Sequence, residues 1–338
     1  MNESNASSHV ETDTWTTLAL WIYSIFPVIF LVVGIPGNLI SLIIWLRRIS
    51  STPGSTSLFL SAMSVTNTYV ILHGCARHWL LGLTNERIDL RVLLGCRGPV
   101  FVFTVISDLS SWLIILLCVE RAICTWKPIQ FKQICRLKYG GIALILVIFS
   151  LTAFNMHFFW TVETVESRCE TVKRFRIFHI YWTYADFAVY SFLPLIVILV
   201  VNSSIILRLR HTQKCVKRDN SSKTTTISMP SENREPLQRT TRKTDGSARI
   251  LRTVFCMATC HFALTMPVVI FFLCEDTFCV DASGQFIPQC NVLEKLTISL
   301  QIANHVTHFF IYSFTSSIFL SDLKKLIPCV AWLFRETN

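Results

Sequence analysis

The chain has 338 residues, of which 52% are hydrophobic and 15% are charged. This composition excludes a water-soluble globular domain, in which about 25% of residues are charged, and it indicates an integral membrane protein. The net charge of +10 does not indicate nucleic-acid binding, because 12 of the 31 basic residues concentrate in one segment, 208–252.

Apolar runs of about twenty residues, the length that a helix needs to cross a bilayer, occur seven times along the chain. They lie near 18–46, 58–76, 99–119, 139–159, 181–207, 253–273 and 296–318. We therefore predict an all-α membrane protein with a seven-transmembrane helix bundle at 18–318. An N-terminal tail at 1–17 precedes the bundle, and a short amphipathic C-terminal helix with a short tail at 319–338 follows it.

The distribution of Lys and Arg predicts the orientation of the bundle. Of the 31 basic residues, 22 lie in the odd-numbered connections and the C-terminal tail, and the side rich in such residues faces the cytoplasm. The N-terminus is then extracellular, where Asn2 and Asn5, in N-E-S and N-A-S, are candidate glycosylation sites. The segment 208–252, rich in Ser and Thr, is predicted to be a solvated cytoplasmic loop that attracts anionic membrane lipid.

The 13 cysteines must be sorted by side, because disulfides persist only in oxidising compartments. On the predicted outer side, Cys96 precedes the third span and Cys169 lies between the fourth and fifth, and we predict a disulfide between them. Cys279 and Cys290 are candidates for a second, smaller ring. Cys329 follows the amphipathic run FLSDLKKLIPC and is a candidate for palmitoylation at the inner membrane surface.

Several short motifs occur in one order along the spans. They are Gly37-Asn38, Glu120-Arg121-Ala122, Pro194, Pro267 in CHFALTMP, and Tyr312 in HFFIY. In this order the chain resembles the rhodopsin-like G-protein-coupled receptors, whose motifs read G-N, D/E-R-Y, F-x-x-C-W-x-P and N-P-x-x-Y. The resemblance covers nearly the whole chain. It implies a multi-pass plasma-membrane receptor that binds an extracellular ligand and signals through a heterotrimeric G protein.

The chain departs from this family at residues of the switch machinery. Asn67 stands where most members have a sodium-binding aspartate, His308-Phe309 replaces Asn-Pro, and Thr265 replaces a tryptophan. Because the loss of a formal negative charge weakens a cation site, we do not expect sodium modulation of the usual kind.

The residues that match or replace the motifs are consistent with a two-state switch. A charged residue at a membrane face is costly unless it is paired, so we expect Glu120 to hold Arg121 in the resting state and to release it on activation. Pro194 and Pro267 each remove a helical hydrogen bond and should kink their helices. Prolines alone would only bend packed helices, but together with the Glu-Arg pair they favour a switch. The predicted switch residues are Asn38, Asn67, Glu120, Arg121, Pro194, Pro267, His308 and Tyr312.

Helical phase predicts which residues line a ligand site. At about 100° per residue, Phe103 and Ser107 share the inward face of Arg121, and no carboxylate shares it. Phe103 stands where the amine receptors of the resembled family have an aspartate, so the resemblance implies that the ligand is not a small amine. Asp186 is the leading contact, because an ionisable residue inside a span is a functional candidate by default, although a structural carboxylate is an almost equal alternative. Tyr190 and Thr265 are further candidates.

Asp108 lies on a different face of the third span, and we expect it to make a structural contact with His157. The predicted outer segments hold nine basic and twelve acidic residues, which favours a cationic ligand. Within the family, the chain most resembles invertebrate FMRFamide-type receptors, so the expected ligand is a neuropeptide. The alternative is an orphan or atypical seven-helix receptor with a non-peptide ligand.

Two other protein classes fit the sequence less well. A membrane transporter is disfavoured because the chain shows no internal repeat and has an odd number of spans. An enzyme is disfavoured because His157, His261, His305 and His308, scattered across three spans, lack the spacing of a metal site such as H-E-x-x-H. We therefore expect no catalytic activity, no metal and no cofactor.

Overall fold

The computed structural model describes residues 3–85, 87–127, 130–165, 168–223, 234–280 and 287–326. Within these ranges it describes the side chains of 14–85, 87–127, 130–131, 133–165, 168–208, 210–211, 252–275, 277–280 and 287–326.

Long α-helices run through all of the predicted spans. In chain order the helices are α1 (Glu3–Ser51), α2 (Ser55–Leu83), α3 (Leu90–Leu93), α4 (Arg97–Trp126), α5 (Phe131–Ile134), α6 (Leu137–Asn155), α7 (Phe158–Thr161), α8 (Arg176–Phe187), α9 (Leu193–Lys223), α10 (Arg234–Phe278), α11 (Pro288–Thr315) and α12 (Ser317–Leu326). Strands β1 (Val162–Val165) and β2 (Arg168–Thr171) form an antiparallel hairpin in which Glu163 faces Glu170. A 3₁₀ turn, Lys173–Phe175, leads from the hairpin into α8.

Six helical stretches among the described residues are long and apolar enough to cross a membrane. They are Thr14–Ser51, Ser55–Leu83, Arg97–Trp126, Leu137–Thr161, Lys173–Arg208 and Arg252–Glu275. The seventh helix of the bundle, α11, has 28 residues but is less apolar, since it buries polar side chains such as Asn304, His305 and His308. The predicted fold, a seven-helix membrane bundle with an amphipathic C-terminal helix, is confirmed.

Several helix ends differ from the ends of the apolar runs. Helix α1 begins at Glu3, inside the segment predicted as a tail, because the sequence offers no proline or glycine before Pro27 to end it. Helices α9 and α10 both extend into 208–252. Helix α11 ends at Thr315, three residues before the predicted end of the seventh apolar run.

The bundle has an apolar surface as well as an apolar core. Met63, Leu113 and Met257 are fully buried between the helices. On the outside, Val32 and Phe149 are 68% and 70% exposed. Soluble proteins seldom expose large contiguous apolar patches, so this surface fits a lipid environment.

The helix that contains Pro194 is not regular. A π-helical segment, Ala188–Phe192, separates α8 from α9 directly before Leu193 and Pro194. Proline has no N–H to donate to the preceding turn, and the wider turn accommodates this loss. The indole Nε1 of Trp112 on α4 donates to the Val189 carbonyl at 3.2 Å. In contrast, α10 continues through Pro267 as α-helix.

Both predicted disulfides are present at one end of the bundle. Cys96 bonds Cys169 and ties β2 to the start of α4, while Cys279 bonds Cys290 and links the end of α10 to the start of α11. We call this the disulfide end, and we call the opposite end, where Arg121 lies, the arginine end.

Candidate signalling core and ligand cavities

Glu120 and Arg121 lie in the last turns of α4 and are 4% and 9% exposed. Glu120 Oε1 accepts hydrogen bonds from Ser55 Oγ at 2.6 Å and from Thr56 Oγ1 at 2.7 Å, both at the start of α2. Arg121 Nη2 donates to the same Thr56 hydroxyl and lies 3.6 Å from Glu120 Oε2. Thr56 therefore joins the carboxylate to the guanidinium, in addition to the direct ion pair.

A cavity of about 500 Å³ opens beside this pair at the arginine end, and Met257 of α10 and Tyr312 of α11 line it together with Arg121. The Arg121 Nε has no hydrogen-bond partner in the described part of the chain. At the same end, Thr315 Oγ1 donates to Thr253 Oγ1 at 2.8 Å and so links α11 to α10.

Cys135, in the short connection between α5 and α6, also lines the cavity at the arginine end. Its carbonyl accepts hydrogen bonds from the backbone N–H and the hydroxyl of Ser55. Burial raises the pKa of the Cys135 thiol to about 11, and the nearby Glu120 carboxylate adds to the effect. A thiol with such a pKa is unreactive at neutral pH.

A network of neutral polar side chains crosses the middle of the bundle. Asn67 Nδ2 donates to Asn38 Oδ1 at 3.2 Å and lies 2.8 Å from His308 Nδ1, while His305 Nδ1 lies 2.9 Å from Asn67 Oδ1. Because an amide nitrogen can only donate, His308 accepts at Nδ1 and carries its proton on Nε2. His305 must donate from Nδ1, since the amide oxygen can only accept. The four residues therefore bind one another as uncharged groups.

His261 of α10 connects two further helices to this region. Its Nε2 lies 3.0 Å from Ser111 Oγ of α4, and its Nδ1 lies 3.2 Å from Asn304 Nδ2 of α11. Its backbone carbonyl accepts from the Thr265 hydroxyl at 2.7 Å. His261 thus holds α4, α10 and α11 together at the position next to the network.

Two adjacent cavities lie towards the disulfide end. The larger, of about 420 Å³, lies between α8 and α10; Asp186 and Glu275 line it together with the aromatic residues Tyr184, Phe187, Tyr190 and Phe272. We call it the acidic cavity. Asp186 Oδ1 is buried and has no hydrogen-bond partner among the described residues.

The smaller cavity, of about 190 Å³, lies between α2, α4 and α11; its polar lining residues are His73, Arg77, His78, Arg91, Thr104 and Gln301. We call it the basic cavity. Phe272 lines both cavities, and Gln301 Nε2 donates to Tyr190 Oη at 3.0 Å between them. A third cavity of about 340 Å³ shares Arg77, Arg91 and Ile298 with the basic cavity.

The structure divides the predicted ligand contacts into two groups. Asp186 and Tyr190 line the acidic cavity and Phe103 lines the basic cavity. Ser107 and Thr265 are buried, at 5% and 0% exposure, and line neither of these cavities.

The structure contradicts one predicted contact, and three predicted sites lie outside the described side chains. The contact predicted between Asp108 and His157 is wrong, because Asp108 Oδ2 instead accepts from Asn155 Nδ2 at 2.7 Å, while the His157 ring packs against Trp182. Asn2 and Cys329 lie outside the described residues, as does the side chain of Asn5.

Comparison with known protein families identifies this arrangement. The family model of the seven-transmembrane receptors of the rhodopsin family matches residues 37–318. The chain belongs to this family. A rhodopsin-family receptor is a membrane protein that responds to an extracellular ligand and couples to a heterotrimeric G protein. The family is one of receptors and generally not of enzymes. A search of curated proteins found no match.

Within this rhodopsin-family receptor, the polar contacts that involve Ser55, Thr56 and Asn304 had not been predicted. Thr56 is far from Glu120 in sequence, and one hydroxyl among the many in the chain gives no signal of its own. Asn304 precedes the two histidines of α11, and a polar run of this kind inside an apolar span was the available indication of a buried network.

Proposed function

We propose that this receptor binds an extracellular peptide, specifically a neuropeptide, in the cavities at its disulfide end. The observation that carries the proposal is the pair of adjoining cavities with opposite charge. A peptide offers cationic, anionic and aromatic groups on one extended backbone, whereas a small ligand with a single charge would satisfy only one of the two cavities.

The disulfide end would then face the cell exterior, with the N-terminus extracellular and the candidate glycosylation sites Asn2 and Asn5 outside. Disulfides persist in oxidising compartments, which supports this orientation. The arginine end would face the cytoplasm in the plasma membrane. There α12 would contact membrane lipid with its apolar face, and Cys329 would lie close enough to the membrane to accept a palmitoyl group.

A ligand in the acidic cavity would act first on Tyr190. The Tyr190 ring lies 6.0 Å from the His261 ring, in an edge-on arrangement, and His261 is in turn held by Ser111 and Asn304. Movement of Tyr190 would therefore bias the packing of α10 against α4 and α11. To shift the equilibrium, the ligand has to bind the active arrangement more tightly than the resting one.

At the arginine end, the proposed active state releases Arg121 from Glu120 and Thr56 into the adjoining cavity. The free guanidinium would then contact the G protein. The ion pair and the Thr56 bridge support this proposal, because they are the contacts that would hold Arg121 in the resting state.

The test is a screen of synthetic peptide pools on cells that express the receptor, with G-protein activation as the readout. We expect a dose-dependent response that is lost in Arg121→Ala and weakened in Asp186→Asn, at equal surface expression. A response to small single-charge molecules but to none of the peptides would favour the alternative of a non-peptide ligand. An unchanged response in Arg121→Ala would remove the proposed switch.

A further inference from the structure

The basic cavity contains more positive than negative charge. Asp89, which precedes α3, is 4% exposed and accepts hydrogen bonds from both Arg77 and Arg91. Arg77 Nε and Nη2 lie 3.2 to 3.3 Å from its oxygens, and Arg91 Nη2 lies 2.7 Å from Oδ2. One carboxylate thus serves two guanidinium groups.

The net positive charge of the cluster of Arg77, Asp89 and Arg91 does not change with pH in the physiological range. Burial alone would raise the pKa of Asp89, but the hydrogen bonds and charges of Arg91 and Arg77 outweigh burial and hold that pKa well below its ordinary value. A carboxyl with a lowered pKa stays ionised as long as the pH remains above that value. Asp89 therefore stays ionised and bound to both arginines at every physiological pH.

The walls of the basic cavity offer further groups that can donate hydrogen bonds, and no Asp or Glu is among the described residues that line it. His78 is 4% exposed, and its Nδ1 has no hydrogen-bond partner among the described residues. Both ring nitrogens of His73 are likewise buried without such a partner. A buried polar group without a partner is destabilising, so these nitrogens indicate that the cavity is built to receive a polar group.

We propose that the basic cavity binds a carboxylate group of the ligand. This inference rests on the proposed function, since it assigns one group of the proposed peptide. Guanidinium groups bind carboxylates through two parallel hydrogen bonds. A ligand carboxylate would be a second anionic partner for the two arginines, in addition to Asp89. Gln301 lines the same cavity, and its amide nitrogen, which donates one hydrogen to Tyr190 Oη, can donate the second to the ligand oxygens.

The size and position of the cavity restrict the ligand further. A volume of about 190 Å³ admits the carboxylate with a short side chain or chain end, and Phe272 separates this group from the acidic cavity. The ligand therefore carries a carboxylate next to an aromatic and a cationic group. An amidated chain end has no negative charge and would not satisfy this cavity, so the acid is a free C-terminus or an acidic side chain.

The experiment measures the thermal stability of the purified, detergent-solubilised receptor with two small probes, sodium 3-phenylpropionate and the neutral 3-phenylpropanamide. At about ten times its dissociation constant, the acid should raise Tm by about 2 °C, while the isosteric amide should leave Tm unchanged. This comparison needs no mutation. Arg91→Gln should abolish the shift caused by the acid, and the control Arg87→Gln, at an exposed residue of the same connection, should preserve it.

Equal stabilisation by the acid and the amide, stabilisation by neither, or an unchanged shift in Arg91→Gln would each overturn the carboxylate site. The outcome is independent of the peptide screen. If peptides activate the receptor but the acid probe gives no shift, only this inference fails. If the acid probe binds and no peptide activates, the peptide ligand fails and the anion site stands.

Discussion

Thr56 offers a direct test of the resting-state contacts at the arginine end. Its hydroxyl donates to Glu120 Oε1 at 2.7 Å and accepts from Arg121 Nη2. Thr56→Val keeps the shape of the side chain and removes both bonds. Ser55 retains one hydrogen bond to Glu120 at 2.6 Å, so the carboxylate is not left without a partner.

The expected effect follows from the strength of hydrogen bonds to charged groups. Each contributes about 1.5–3 kcal/mol, and with part of the loss recovered by water and Ser55, the resting state should lose about 2 kcal/mol. Because about 1.4 kcal/mol corresponds to a tenfold change, the ratio of active to resting receptor should rise about 30-fold. A receptor with ~1% in the active state would then have roughly a quarter in that state.

The assay is GTPγS binding to membranes without any ligand, normalised to receptor at the cell surface. The matched control is Thr68→Val, since the Thr68 hydroxyl on the same helix donates to the Ser64 carbonyl of its own helix at 2.8 Å. Equal basal activity in the two variants would refute the role of Thr56. Activity in the double variant Thr56→Val, Arg121→Ala would refute the role of the arginine.

Three further predictions concern other parts of the receptor. The Cys96–Cys169 and Cys279–Cys290 disulfides close rings of 73 and 11 residues and should contribute about 4 and 3 kcal/mol to the free energy of unfolding. Cys96→Ala and Cys169→Ala should therefore lower surface expression equally, and more than Cys279→Ala does; unequal losses in Cys96→Ala and Cys169→Ala would contradict this. Exchange of sodium for N-methyl-D-glucamine should leave basal GTPγS binding unchanged, because Asn67 contacts uncharged partners, and a sodium-dependent change would disprove that view. Cys135, with its thiol pKa raised to about 11, should resist maleimide at pH 7.4 and react faster in Thr56→Val, as measured by site-resolved mass spectrometry; fast labelling of the unmodified receptor would show the thiol to be accessible and ionised.

The seven-helix fold was predictable because hydropathy records burial in lipid directly. The ends of the helices were not, since a helix such as α1 continues beyond the apolar run wherever no residue stops it. Helix α11 shows the opposite limit. Its buried Asn304, His305 and His308 lower its hydropathy, although each makes a hydrogen bond to a side chain on another helix.

Contacts in the candidate site were predictable from the sequence only where the chemistry of one residue requires a particular kind of partner. The Cys96 and Cys169 pair follows from compartment and position, and the ion pair of Glu120 with Arg121 follows from the cost of unpaired charge in a membrane. The cluster of Arg77, Asp89 and Arg91 depends on how α3 folds back against α2, which no periodicity encodes. The predicted partner of Asp108 is wrong because helical phase gives the direction of a side chain and not the neighbour that it meets there.

The amide of Asn67 contacts α1 through Asn38 and α11 through His305 and His308. A rotation of the Asn67 amide by 180° would exchange donor and acceptor, so it would break the hydrogen bonds to all three residues at once. Helices α1, α2 and α11 consequently behave as a single rigid frame in the membrane. In the proposed switch, the displacement at the arginine end would then fall to helices outside this frame, such as α9 and α10.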